Sequence, residues 1–297
     1  MIGKNFAYLR PDTLEEAYSA FMEAQQKGME VVYLNGGTET VTYARQNKIH
    51  PDLVIELFRL APLKVLSEEE NQYVYGSALT LNQIIEAKRF PLFERAAGIV
   101  DHTVRNKLSL GGNLLGRLPY RETVLPLLVS DARVRLYGAQ GLRELPLEEV
   151  FDKRFRIKMG EILVDVRVPK ASTKGPHGYV RKTRLGSSVD YPIVTLCLVQ
   201  RGSALRLATT GAFGYPLRSM EIEGLLNDQL SQATSSLSPR ILSPETFTAI
   251  VKAASAEIVE DKRASAEYRT FLFKQALQEG LEALQTTAST KTTEHTR

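Results

Sequence analysis

Two short glycine-rich stretches constrain this chain more than anything else in it. They are Leu34-Asn35-Gly36-Gly37-Thr38-Glu39 and Val104-Arg105-Asn106-Lys107-Leu108-Ser109-Leu110-Gly111-Gly112-Asn113. Paired glycines beside a hydroxyl let a backbone turn sharply and aim several N–H groups at one point, where an anion such as a pyrophosphate fits. The first pair follows Val31-Val32-Tyr33-Leu34, an apolar run that reads as a short strand, so it sits at a strand end. Taken alone, each pair fits an ordinary turn as well as an anion seat. Two of them, far apart in sequence, point to a nucleotide held from two sides.

The surroundings of both stretches alternate strand and helix. Thr13 followed by Glu16 is a capping box opening a helix in which Leu14, Ala17, Tyr18 and Phe21 recur on one face, and Gly28 ends it. Strands are predicted over 52–57, 73–76, 133–137 and 161–168. Helices are predicted over 81–89, over 92–100, and from Pro119 to Ser130. This alternation belongs to the α/β or α+β class. The polar, breaker-rich segment Pro169 to Pro176 marks a boundary. Beyond it come strands over 178–184, 191–200 and 204–213, then a Ser-rich loop from Ser231 to Pro239. Ser243-Pro244-Glu245 opens a helix. A last helix over 265–284 carries Tyr268, Phe271, Leu272, Leu277, Leu281 and Leu284 on one face. Residues 285–297 have little to bury and are expected to be disordered.

Composition closes off several classes. No apolar run approaches the ~20 residues that span a bilayer. Met1-Ile2-Gly3-Lys4-Asn5-Phe6 lacks the apolar stretch of a signal peptide, so a cytoplasmic location is expected. The single cysteine, Cys197, lies in the apolar run Ile193 to Val199 and reads as a core residue; alone it makes no internal disulfide and holds no four-cysteine iron–sulfur cluster. The net charge is +4, but its charges are interspersed, with no basic block of the kind that binds nucleic acid. His50, His102, His177 and His295 show no metal-ligand spacing. There is no G-x-x-x-x-G-K-[ST], no G-x-G-x-x-G after a strand, no H-E-x-x-H and no G-x-S-x-G. With no general acid–base pair, no catalytic residue and no metal ligand is assigned.

The ordered set of motifs resembles the FAD-binding subunit of molybdenum hydroxylases, the family of xanthine dehydrogenase and the carbon monoxide dehydrogenase medium subunit. Asn35-Gly36-Gly37-Thr38-Glu39 is similar to that family's A-G-G-T-D. Val104-Arg105-Asn106 with Ser109-Leu110-Gly111-Gly112-Asn113 is similar to its I-R-N-x-x-T-I-G-G-N. Pro119-Tyr120-Arg121-Glu122 resembles its S-P-x-x-D, with Leu118 for the serine and Glu122 for the aspartate. Lys182 and Asp190 fit F-x-K-x-x-x-R-x-x-x-D; the arginine is displaced, and Arg184 is its nearest counterpart. Gly211 to Arg218 and Asp261 to Arg269 resemble the family's C-terminal domain.

The resemblance implies an α+β fold. A two-subdomain FAD-binding domain of the PCMH type would occupy 1–172, a C-terminal domain with a three-stranded sheet and helices 173–284, and a disordered tail 285–297. It implies FAD in this chain, with the molybdenum cofactor and iron–sulfur clusters on partner subunits, and NAD or another acceptor taking the electrons. A purine is the favoured substrate of the whole enzyme. Leu34, Asn35, Gly36, Gly37, Thr38 and Glu39 would form one wall of the pyrophosphate site. Ser109, Gly111, Gly112 and Asn113 would form the other, with Arg105 and Asn106 bracing it. Leu110 would pack against the isoalloxazine, or simply fill the core. Glu122 would accept hydrogen bonds from ribityl or ribose hydroxyls; a solvated charge in a first helical turn reads the same way. Lys182 would lie near the flavin and stabilise its reduced form, or be a surface lysine on a strand. Two other readings keep the same motifs: an FAD oxidase or reductase that acts alone, and an assembly subunit without flavin. The missing acid–base pair speaks against the first.

Overall fold

A computed structural model describes residues 2–118, 120–183, 191–231, 242–254 and 258–294, the side chains of 286–294 excepted. Pro119, Arg184, Asp190 and most of the Ser-rich loop therefore lie outside the described residues. The fold is α+β, in two compact units: Met1–Arg89 with Asp101–Arg117 and Asp131–Lys170, and Phe90–Val100 with Leu118–Ser130 and Ala171–Arg297.

In chain order the elements begin with β1 (Ala7–Leu9), α1 (Leu14–Gln26), β2 (Val31–Leu34), α2 (Thr38–Arg45), β3 (Leu53–Glu56), β4 (Leu66–Glu68) and β5 (Gln72–Gly76). There follow α3 (Leu81–Ala87), α4 (Pro91–Ala97), α5 (His102–Arg105), α6 (Leu110–Leu115) and α7 (Val124–Leu128). Next are β6 (Arg133–Gly138), β7 (Gly141–Pro146), α8 (Leu147–Val150), β8 (Phe151–Asp152), β9 (Arg154–Phe155) and β10 (Ile162–Pro169). The chain closes with β11 (His177–Lys182), β12 (Val194–Arg201), β13 (Ala204–Thr210), β14 (Leu217–Arg218), α9 (Met220–Ser231), α10 (Pro244–Ala253) and α11 (Ala266–Glu294).

The first unit holds a parallel sheet of order β1-β3-β2 and an antiparallel sheet of order β4-β5-β10-β6-β7. Helix α1 starts where its cap demands: the Thr13 hydroxyl accepts the Glu16 N–H at 3.0 Å, and the Glu16 carboxylate reaches back to the Asp12 N–H at 2.8 Å. Its apolar face buries Leu14, Ala17 and Ala24 against Val31 and Ile55, while Phe21 stacks on Tyr33 with ring centroids 4.7 Å apart. In the larger sheet β10 is central. Its Asp165 is fully buried and accepts Arg135 Nε on both oxygens, so the charge is compensated where β10 shifts register.

The second unit is built on the antiparallel order β11-β12-β13-β14, three long strands with a two-residue fourth. Helix α11 packs on β11 and β12 through glycine: a Cβ at Gly178 would stand 2.6 Å from the Gly280 carbonyl oxygen. Cys197 is buried at the centre, and burial pushes its thiol pKa up, as befits a core residue.

Three expectations change. The helix expected from Pro119 to Ser130 is only α7, because the buried segment Arg121–Thr123 turns before helical bonding starts. The helix expected over 92–100 ends at Ala97, since Gly98 caps it and Val100 takes a positive φ of 47°. The last helix, expected over 265–284, runs on to Glu294; no glycine or proline interrupts 285–294.

Candidate functional site

The first glycine pair joins a strand to a helix. Strand β2 ends at Leu34, the chain turns through Asn35 and Gly36, and Gly37 caps α2 in the left-handed region at φ 75°. A glycine cap has no side chain with which to satisfy the first turn. Among the described residues, no acceptor takes the backbone N–H of Gly36, Gly37, Thr38, Glu39 or Thr40. Five consecutive unpaired amides at a helix N-terminus form a ready seat for a doubly charged anion.

The second glycine stretch is different. It is a helix start too, capped by Ser109, but its amides are already spent. Leu110 N–H donates to the Leu79 carbonyl at 2.8 Å and Gly111 N–H to the Ser77 carbonyl at 2.8 Å. Gly112 N–H donates to the Ser109 hydroxyl at 3.2 Å, and Asn113 N–H to the Ser109 carbonyl at 2.9 Å. This stretch is a wall, not a second set of donors.

The two stretches lean on each other. A Cβ at Gly36 would stand 1.9 Å from the Lys107 carbonyl oxygen, so Gly36 is required by its own chain before any ligand is considered. Asn35 Nδ2 donates to the Ser77 carbonyl at 3.1 Å, the same carbonyl that takes Gly111 N–H. Asn35 Oδ1 is buried without a hydrogen-bond partner.

Between the stretches lies a cleft of about 210 Å³. Asn35, Gly36, Gly37, Thr38, Glu39, Ser109, Gly111 and Gly112 all line it. So do residues that sequence reasoning missed: Tyr33, Ser77, Leu108 and Leu115 beside the stretches, and the distant Glu161, Ile162 and Leu163 at the start of β10. A drug-sized ligand fills roughly 300–1,000 Å³. The cleft therefore has room for one segment of such a ligand, and its unpaired amides suit an anionic one. Tyr33 donates its hydroxyl to the Gly160 carbonyl at 2.9 Å, and burial holds its pKa well above the usual phenol range.

Other predicted site residues stand outside the cleft. Leu34 packs under Gly37, its Cδ1 3.2 Å from where a Cβ there would be. Leu110 and Asn113 are buried in the first unit. Arg105 Nε donates to Asn82 Oδ1 at 2.9 Å, and Asn82 Nδ2 donates to Asn106 Oδ1 at 2.7 Å, a brace behind the second stretch.

Glu122 and Lys182 belong to the second unit. Glu122 has no exposed surface, so the solvated-charge alternative is overturned: the turn before α7 folds it inward. Neither of its carboxylate oxygens has a hydrogen-bond partner among the described residues. Burial pushes its pKa up to about 7, opposed by its own backbone and by the charges of Arg181 and Arg263. Lys182 Nζ pairs with Glu279 at 2.5 Å and is mostly covered.

Among the described residues there is no cluster of three potential metal ligands, and no helix is long and apolar enough to cross a membrane. Residues 4–171 match the family model described as the FAD-binding domain in molybdopterin dehydrogenase. The chain is 26% identical to the carbon monoxide dehydrogenase medium chain of Hydrogenophaga pseudoflava, over 95% of this chain and 98% of that one. It is 24% identical to a putative xanthine dehydrogenase FAD-binding subunit of Escherichia coli, over 90% and 92% of the two chains. In three dimensions it is similar to a chain of the solved Hydrogenophaga pseudoflava carbon monoxide dehydrogenase that lacks the Mo-pyranopterin moiety. The TM-score is 0.77 at 25% identity, covering 96% of this chain and 98% of that one.

Proposed function

Since the chain belongs to the family of FAD-binding domains of molybdopterin dehydrogenases and FAD is its cofactor, we propose that it is an electron-relay subunit whose Gly36–Thr40 amide row seats the FAD pyrophosphate. The single observation that carries this reading is the row of five unpaired amides facing a cleft. Bound FAD supplies the redox chemistry, taking electrons in and passing them on. The chain's own residues bind and orient. The amides and the dipole of α2 balance phosphate charge. Gly36 lets the second stretch close to make the far wall. Glu122 would accept hydrogen bonds from hydroxyls of the cofactor's sugar or ribityl chain, on oxygens that have no partner among the described residues. Lys182, paired with Glu279, would supply positive charge toward the flavin and favour its reduced form.

In this reading the partners are a molybdenum-cofactor subunit and an iron–sulfur subunit. Clusters on such a partner would supply the electrons, and NAD or another acceptor would take them. The choice of a purine substrate rests on motif resemblance. Relatives named for carbon monoxide and for xanthine both align over nine-tenths or more of the chain, which supports a shared relay and leaves substrate choice to another subunit. Reconstitution tests the proposal. The full chain incubated with FAD and desalted is expected to be yellow and to release FAD on denaturation; a folded chain that stays colourless overturns it. Oxidation of an organic substrate by the isolated flavoprotein would favour the stand-alone enzyme instead.

A further inference from the structure

Glu39 is the second residue of α2, among the amides just described. An acid in a first helical turn ordinarily turns to the free amides of that turn and takes them for itself. Glu39 does not. Both its oxygens accept the backbone N–H of Arg117, at 3.1 Å each, and Oε1 also accepts the Tyr43 hydroxyl at 3.0 Å. Arg117 follows Gly116, where the second glycine stretch and α6 end. One carboxylate therefore ties the end of the second wall to the helix that the first wall opens. Gly116 allows the approach: a Cβ there would stand 2.9 Å from the Gly112 carbonyl oxygen and 3.4 Å from Glu39 Oε2. Tyr43 lies one helical turn after Glu39, with the Arg117 guanidinium over its ring at 5.6 Å. Burial, then the bond to Glu39, raise the Tyr43 pKa, which keeps the phenol a donor.

We propose that Glu39 is a positioning residue for the FAD pyrophosphate: its bonds to Arg117 and Tyr43 fix the spacing of the two glycine walls and hold the acid off the amide row. The inference rests on the reading of that row as the flavin seat. It differs from a direct cofactor contact in what it requires of the side chain. An oxygen acceptor is needed; a negative charge is not, and beside a pyrophosphate the charge is unfavourable.

FAD affinity of the full chain, stripped of flavin and titrated by flavin fluorescence, tests this with the wild type as control. Losing the bonds to the exposed Arg117 N–H and the half-buried Tyr43 hydroxyl is expected to weaken binding by roughly tenfold. Glu39→Ala is expected to lose that much affinity. Glu39→Gln, which keeps an acceptor for both donors, is expected to stay within about threefold of wild type or to bind more tightly. Tyr43→Phe, which leaves the Arg117 bond in place, is expected to lose a smaller factor without lowering the melting temperature, and it serves if Glu39→Ala fails to fold. Equal affinity of wild type, Tyr43→Phe and any folded Glu39→Ala overturns the latch. So does a Glu39→Gln variant as weak as Glu39→Ala, since charge and not geometry would then matter. A folded wild type that takes no FAD overturns the flavin reading itself, whatever Glu39 does.

Discussion

Single residues here carry more than their type announces. Glu122 is a fully buried acid whose carboxylate oxygens have no hydrogen-bond partner among the described residues, and its pKa is pushed up from 4.5 to about 7. The sign for stability follows. Near pH 4 it is protonated in both the folded and the unfolded chain and contributes nothing. As the pH rises from 4.5 to about 7 the folded chain keeps a proton that the unfolded chain has lost, so stability falls, and above that the penalty is constant, on the order of 3 kcal/mol. Glu122→Gln in the flavin-free chain is therefore expected to gain on the parent by that order between about pH 4 and about pH 8, read by denaturant unfolding. A difference that does not change with pH contradicts the buried-charge account. Gly36 makes the opposite case. Sequence reasoning placed it in a wall of the pyrophosphate site, yet the 1.9 Å gap to the Lys107 carbonyl oxygen shows that the chain's own backbone excludes a Cβ there. Gly36→Ala is expected to cost several kcal/mol by the clash and shift it forces, on the order of 3 kcal/mol. A variant that melts with the wild type contradicts the packing. Glu122's burial was not legible because an acid before a helix is usually solvated; Lys107 lies 71 positions from Gly36, beyond any local pattern.

Among elements, those with strong periodicity were legible and those made of exceptions were not. Helix α1 and strands β2, β6 and β12 fall close to where capping and apolar runs predict them. Helices α2 and α6 were hidden, since Gly37 caps one and Gly111-Gly112 lie inside the other, both poor helix residues that read as loop. Yet these two starts define the site. They also explain its asymmetry: α2 begins with a cap that satisfies nothing, while α6 begins with Ser109 and partners from Ser77 and Leu79. The β11–α11 contact makes a prediction at this scale. A Cβ at Gly178 would meet the Gly280 carbonyl oxygen at 2.6 Å, so helix and sheet touch backbone to backbone. Gly178→Ala is expected to destabilise the second unit by about 1–3 kcal/mol, seen as faster hydrogen exchange in α11 and β11 while β2 and β3 are unaffected. Uniform exchange throughout contradicts a local contact.

For the molecule as a whole, membership of a flavin family and an α+β fold were legible from ordered motifs, because a cofactor seat fixes residue types at fixed spacing. The rest of the cleft was not, since Glu161 to Leu163 reach it only through the pairing of a sheet. The structure also changes what the two glycine stretches mean: one offers donors, the other supports it. That claim is tested most directly by hydrogen exchange on the full chain with and without FAD. The amides of residues 36–40, unpaired in the free chain, are expected to become strongly protected when FAD binds, while those of residues 110–113, already bonded, change little. FAD bound with no new protection over 36–40 would contradict the account.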